Sequence, residues 1–296
     1  MRSVSLVADL ASVEEARQFA ATVAAIVARH TGADPWRPGA AASDADPDLQ
    51  RALSDAGWDE LGRDGGLLPL AAPAGAAIGR AFASLAPVDA LLGGALTVDG
   101  LARYANEGAP LMEPRAGELV RRRAVRLSPL PYTDALGVAR VEGADATAPD
   151  GPRAAREGAG APLADPEAGV RMSAWCAAST GYLAGLGEEA LRLALEHARS
   201  RRAFGGPLGA LEPVQQMLAD AATLVDGLTL LRADSPGADA LAHAGDAAER
   251  AVSICMQVTG ALGFTLEFPL QRAYRRSRSA RVWADAVLLA WESPAA

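Results

Sequence analysis

Arg201-Arg202-Ala203-Phe204-Gly205-Gly206-Pro207-Leu208 is the stretch on which the fold turns. Before it, residues 170–200 carry the apolar spacing of a long helix. After it, residues 211–233 do so again, with Val214, Leu218, Ala221, Val225 and Leu228 on one face. Arginines in a last turn complement the helix dipole, and glycine ends a helix at little cost. A plain link between helices therefore accounts for Arg199, but it leaves Phe204 without a reason to be there. An arginine beside an exposed aromatic and flexible backbone also suits a phosphate group, because its planar fork pairs bidentately.

Two more helices are expected downstream, over 238–261 and from Pro269 to about Leu289. The link between them, Gln257-Val258-Thr259-Gly260-Ala261-Leu262-Gly263-Phe264-Thr265-Leu266-Glu267-Phe268-Pro269-Leu270, reads by itself as a helix end followed by an N-terminal proline. Four antiparallel helices with short connections make a bundle over 168–296. In the first of them, Gly181, Gly185 and Gly187 place small residues where another helix could approach closely.

The N-terminal third reads as a helical domain over 1–106. Helices are expected at 12–31, behind Ser12 as N-cap, and at 47–57, 73–84 and 88–106, with a loop over 34–47. Residues 107–167 differ: they hold eight prolines and read as a shortened β and loop region. Two strands are expected there, Leu119–Leu127 and Gly137–Glu142, too few to close a barrel. The first carries Arg121, Arg122, Arg123 and Arg126, which suits a solvated sheet edge defended by charge. Residues 144–169 read as loop. No internal repeat is visible.

Composition narrows the function classes. Half of the 296 residues are apolar, enough for a substantial core. The net charge is −8, which argues against a nucleic-acid partner. The two cysteines lie apart in apolar helices. They form no zinc-binding pattern, and they suit a reducing, cytoplasmic setting. The N-terminus turns acidic before any long apolar run, so no signal peptide is expected, and no window is apolar enough to span a membrane. His30, His197 and His243 fall on separate helices and read as surface or helix-end residues.

The two links taken together are more specific than either alone. The chain resembles the acyl-CoA dehydrogenase family, in which a helix ends R-x-x-F-G-x-P, a glutamine-led helix follows, and Q-x-x-G-G-x-G-(F/Y) comes later. Here these are Arg201 to Leu208, Gln215 to Ala221 and Gln257 to Pro269, in matching order and spacing. Leu53, Gly57, Trp58 and Leu61, then Ile78-Gly79-Arg80 and Pro87, resemble the family's N-terminal pattern. The resemblance implies a mainly α fold: a helical N-terminal domain, a reduced middle β region and a C-terminal four-helix bundle.

It further implies FAD chemistry on the Cα–Cβ bond of an acyl-CoA thioester, with the cofactor shared across a subunit interface. By the resemblance, Arg201 would reach the FAD diphosphate and Phe204 would lie beside it. Gln257 would approach the adenosine end, and Gly260 and Ala261 would give the close backbone approach, Ala261 standing for a glycine. The family's catalytic glutamate falls at Ala284, beside Trp283. Asp285 is a poor substitute, about 100° further round the helix. The alternative base position on the first bundle helix, within Val170–Ala177, holds no carboxylate. Residues 107–167 lack the family's T-E-P segment and contain no tryptophan. No metal site is expected.

The resulting expectation is a non-catalytic subunit that pairs with a catalytic acyl-CoA dehydrogenase subunit, as in a steroid-type α2β2 complex, and completes its FAD site. Such a complex would take acyl-CoA through the partner and pass electrons to an electron-transfer flavoprotein. The alternatives are a self-sufficient flavoenzyme with altered chemistry and a flavin-free scaffold.

Overall fold

A computed structural model describes residues 2–31, 47–130, 137–146, 165–233, 237–265 and 267–293. The loops expected at 34–47 and 144–169 fall largely outside these residues. The chain divides into two compact units, each assembled from separated stretches. One comprises residues 1–40, 66–83 and 176–284; the other comprises 41–65, 84–175 and 285–296.

The first unit is helical. It holds α1 (Arg2–Thr31), α3 (Leu68–Arg80), most of α5 (Ala168–Ser200), α6 (Glu212–Arg232), α7 (Ala238–Thr259) and most of α8 (Leu270–Glu292); α2 (Pro47–Asp55) belongs to the other unit. The four helices α5 to α8 stand where the periodicity predicts them. On α6 the expected apolar face is the one turned inward: Leu218, Ala221, Val225 and Leu228 are buried, and Val214 is half-buried.

The small residues of α5 meet small residues of α3. A Cβ added at Gly181 or Gly185 would overlap the carbonyls of Ala72 and Ala76. Reciprocally, one at Gly75 or Gly79 would overlap those of Ala178 and Tyr182. The two backbones therefore touch with no side chain between them, a geometry in which Cα–H groups meet carbonyls. Tyr182 completes the crossing, its hydroxyl donating to the Ala83 carbonyl at 3.0 Å. Glu188 accepts from Arg80, Thr229 and Arg232, which joins α3, α5 and α6.

The second unit is built on a closed barrel of five strands in the order β1-β2-β5-β4-β3. These are β1 (Ala95–Val98), β2 (Leu101–Arg103), β3 (Pro110–Arg115), β4 (Glu118–Pro129) and β5 (Val138–Ala146). Two expectations are corrected here. The helix expected over 88–106 ends early as α4 (Ala86–Ala90), and β1 and β2 follow it. The barrel does close, because β1 also pairs in parallel with β3.

The reason lies in the turns. Asp99 and Gly100 both have positive φ, 51° and 72°, and so do Ala116 and Gly117, 52° and 78°. Each pair is a two-residue hairpin turn whose twist matches the strands it joins. The Ala116 and Gly117 amides also donate to the carbonyls of Ala290 and Trp291, capping the end of α8.

A third correction concerns the arginines of β4. This strand pairs with β3 on one side and β5 on the other, so they guard no edge. Arg122 instead reaches Glu113 across the β3–β4 pair at 2.6 Å. Leu53, Trp58 and Leu61 are all buried, and the Trp58 indole donates to the Pro87 carbonyl. The N-terminal pattern is thus a packing pattern.

Candidate functional site

The short links after α5 and α7 place the C-terminus of α5, both links and the N-terminus of α8 at one end of the bundle. The edge contact between His197 on α5 and Phe268 before α8, with ring centroids 6.3 Å apart, ties the two links together.

The first link is a miniature hairpin, β6 (Arg202–Ala203) against β7 (Gly206–Pro207). Its turn residues are Phe204 and Gly205, with φ of 52° and 86°. Glycine reaches this region freely, whereas phenylalanine is strained there. Phe204 is nevertheless at the tip and 91% exposed. A bulky apolar side chain is thus held both strained and in solvent. Arg201 precedes the hairpin. Its backbone bridges from the His197 carbonyl to the Leu208 amide, and its side chain is exposed.

The second link begins at Gly260, whose N–H caps the Met256 and Gln257 carbonyls. Its φ of 62° and ψ of −144° lie in a region that only glycine occupies without strain. A Cβ built there would meet nothing within 4 Å, so the backbone faces open space. Gln257 and Ala261 are exposed beside it. Gly263 serves packing: a Cβ there would overlap the Thr259 hydroxyl. Phe264 is also exposed, with its ring edge on Tyr274.

Burial, and then the charge of Arg201, hold the His197 imidazole below its ordinary value of 6.5. Cys176 and Cys255 are pushed up to about 12 by burial, so both thiols stay protonated and unreactive.

The structure brings Arg201, Phe204, Gln257, Gly260 and Ala261 to this one end of the bundle. The other two predicted positions lie elsewhere. Ala284 is 2% exposed within α8, while Asp285 next to it is exposed. Among the described residues, no group of histidines, cysteines and carboxylates could hold a metal ion. No described helix is long and apolar enough to cross a membrane.

A polar cluster in the second unit was invisible to sequence reasoning. Asp89 accepts two bonds from Arg103, at 2.7 and 2.6 Å, and one from the Trp175 indole at 3.1 Å. All three side chains are buried. Asp89 and Arg103 help to line a cavity of about 350 Å³, with Arg63, Asn106 and Arg171. No local pattern links residues 14 and 86 positions apart.

Comparison with known proteins fits the geometry. Residues 173–235 and 238–284 match the family described as acyl-CoA dehydrogenase, C-terminal domain. The bundle therefore carries the sequence pattern of the acyl-CoA dehydrogenase C-terminal domain. Cyclohex-1-ene-1-carbonyl-CoA dehydrogenase of Syntrophus aciditrophicus is 30% identical over 112 residues, 33% of this chain and 27% of that protein. The mitochondrial short-chain specific acyl-CoA dehydrogenase of Bos taurus is 32% identical over 111 residues, again 33% and 27%. The matched stretch is thus about a quarter of these relatives' length.

Solved structures extend the likeness to the whole fold. The ChsE4–ChsE5 complex from Mycobacterium tuberculosis aligns with TM-score 0.63 and 19% identity over 92% of this chain and 93% of that one. A variant of the Tcur3481–Tcur3483 steroid acyl-CoA dehydrogenase aligns with TM-score 0.66 and 16% identity, covering 95% and 97%. The acyl-CoA dehydrogenase fold is therefore common to both units of this chain.

The residues at the bundle end suit the tail of a dinucleotide such as FAD. They offer a cationic fork that can pair with a phosphate, an amide, an exposed aromatic and an uncovered stretch of backbone.

Proposed function

We propose that this chain is the non-catalytic subunit of a heteromeric FAD-dependent acyl-CoA dehydrogenase, and that it completes the FAD site of a catalytic partner. The observation that carries this reading is a division within α5 to α8. The end bearing Arg201, Phe204, Gln257 and Gly260 is exposed and equipped for a ligand, while Ala284 is a buried methyl.

In this reading, Arg201 pairs with the FAD diphosphate, Phe204 covers it, Gln257 bonds toward the adenosine end, and Gly260 lets the backbone approach. Bound FAD supplies a hydride acceptor for oxidation of the Cα–Cβ bond of an acyl-CoA thioester. Ala284 offers no atom to take the α-proton, so that proton goes to a carboxylate of the partner. The two-chain names of ChsE4–ChsE5 and Tcur3481–Tcur3483 support a heteromer; two copies of each chain are the assembly this reading proposes. Electrons would leave the complex to an electron-transfer flavoprotein.

Co-expression with a neighbouring acyl-CoA dehydrogenase homologue tests this. The expected product is a yellow complex whose flavin absorbance falls at least tenfold in Arg201→Ala. Failure of the chains to associate, or full flavin in Arg201→Ala, overturns it.

The closed barrel favours a second reading, a self-sufficient flavoenzyme with altered chemistry, because a complete barrel removes one obstacle to holding a flavin ring. That reading requires the chain alone to purify yellow as a homo-oligomer. A protein that stays colourless with every partner is instead a scaffold.

A further inference from the structure

His197 sits on the last turn of α5, four residues before Arg201, and its carbonyl accepts the Arg201 N–H at 2.8 Å. Residues four apart rise from the same side of a helix. The His197 ring is set edge to face on Phe268, so it stays at the junction of the two links and is only half-buried. Charged residues flank it in the chain, Arg199 and Arg202 among them. On its own side are Arg201 and Glu196, and Glu196 is bonded to Arg192. On the facing link, Glu267 directly precedes Phe268 and is exposed. Arg201 is the charge that opposes protonation of the ring.

We infer that His197 is a second contact for the diphosphate group received by Arg201, taking up a proton as the anion arrives. The inference rests on the reading of Arg201 as an anion contact. An anion at Arg201 offsets the charge that disfavours the imidazolium and adds an acceptor for its N–H. The last turn of a helix also favours a cation. Without the anion, burial and then the Arg201 charge disfavour the imidazolium, which limits repulsion between two adjacent cations at the open site.

The test uses the full chain and inorganic pyrophosphate as probe. The imidazole signals of the three histidines are followed by NMR through a pH titration, with His197 assigned from His197→Asn. With pyrophosphate present, the His197 midpoint is expected to rise, and not to rise in Arg201→Gln. The ratio of wild-type to His197→Asn affinity, which cancels the titration of pyrophosphate itself, is expected to grow about two- to fivefold from about pH 8 to about pH 5.5. Binding that depends on Arg201 with an unmoved His197 midpoint and a flat ratio overturns the inference and leaves the Arg201 reading standing. No binding to the wild type overturns both. The midpoint is read on the unaltered protein, so the result does not depend on a variant folding.

Discussion

Phe204 shows how a single residue can work against its own fold. A side chain with positive φ costs on the order of 1 kcal/mol, and at 91% exposure Phe204 recovers little of that by packing. Phe204→Asn is therefore expected to stabilise the isolated chain by about 0.5–1 kcal/mol in urea denaturation. In a flavin-bearing complex the same change should lower flavin retention. A loss of stability in the isolated chain would show that Phe204 packs within it instead. Gly260 is the opposite case, since its φ and ψ exclude other residues although space is free. Gly260→Ala should cost about 1–3 kcal/mol through backbone strain alone. His197 makes stability depend on pH. The unfolded chain binds the imidazole proton more tightly than the folded one, so the contribution of the neutral ring is complete above the ordinary value of 6.5. It is lost progressively as pH falls below that. The melting-temperature difference between wild type and His197→Asn should be constant above that value, and the wild type should lose stability relative to the variant as pH falls below it. The sequence pointed to Phe204 because a plain link does not explain an aromatic; it gave no sign of the strain, which is a dihedral angle.

At the scale of elements, the helices were legible because their apolar spacing is local, and β1 and β2 were not. Leu91 to Ala102 suits a buried helix or a pair of strands equally well by hydrophobicity. The Asp99-Gly100 pair was the available signal for a hairpin. The two prolines of β3, Pro110 and Pro114, further disguised a strand. The crossing of α3 and α5 was half legible: Gly181 and Gly185 announced a close approach, but not its partner. Gly181→Leu should prevent folding or cost well above 3 kcal/mol, because backbone lies where the side chain would go. A variant that expresses in soluble form with an unchanged melting temperature would refute the crossing. Asp89→Asn leaves Arg103 with a buried charge and should cost about 3–5 kcal/mol. Trp175→Phe removes one bond and should cost only about 1 kcal/mol.

For the whole molecule, the decisive contrast is between the two ends of one family signature. The matched bundle exposes the groups that the proposed reading assigns to a cofactor tail and carries alanine where the resemblance places the base. If the missing carboxylate alone silences this chain, Ala284→Glu would restore dehydrogenation in the homo-oligomer. The reading proposed here expects no such rescue, because Ala284 lies buried in α8 and a glutamate there would also destabilise the fold. Thioester oxidation assayed alongside a melting curve separates the two outcomes. The sequence by itself determined the bundle, the order of its two links and the absence of a carboxylate at Ala284, since each follows from residue type and spacing along the chain. Only the tertiary structure decided that the barrel closes, that the β4 arginines guard no edge, that Asp89 is bound by Arg103 and Trp175, and that the two links share one end of the bundle. Those outcomes depend on backbone turns and on pairings between distant residues, which local spacing does not record.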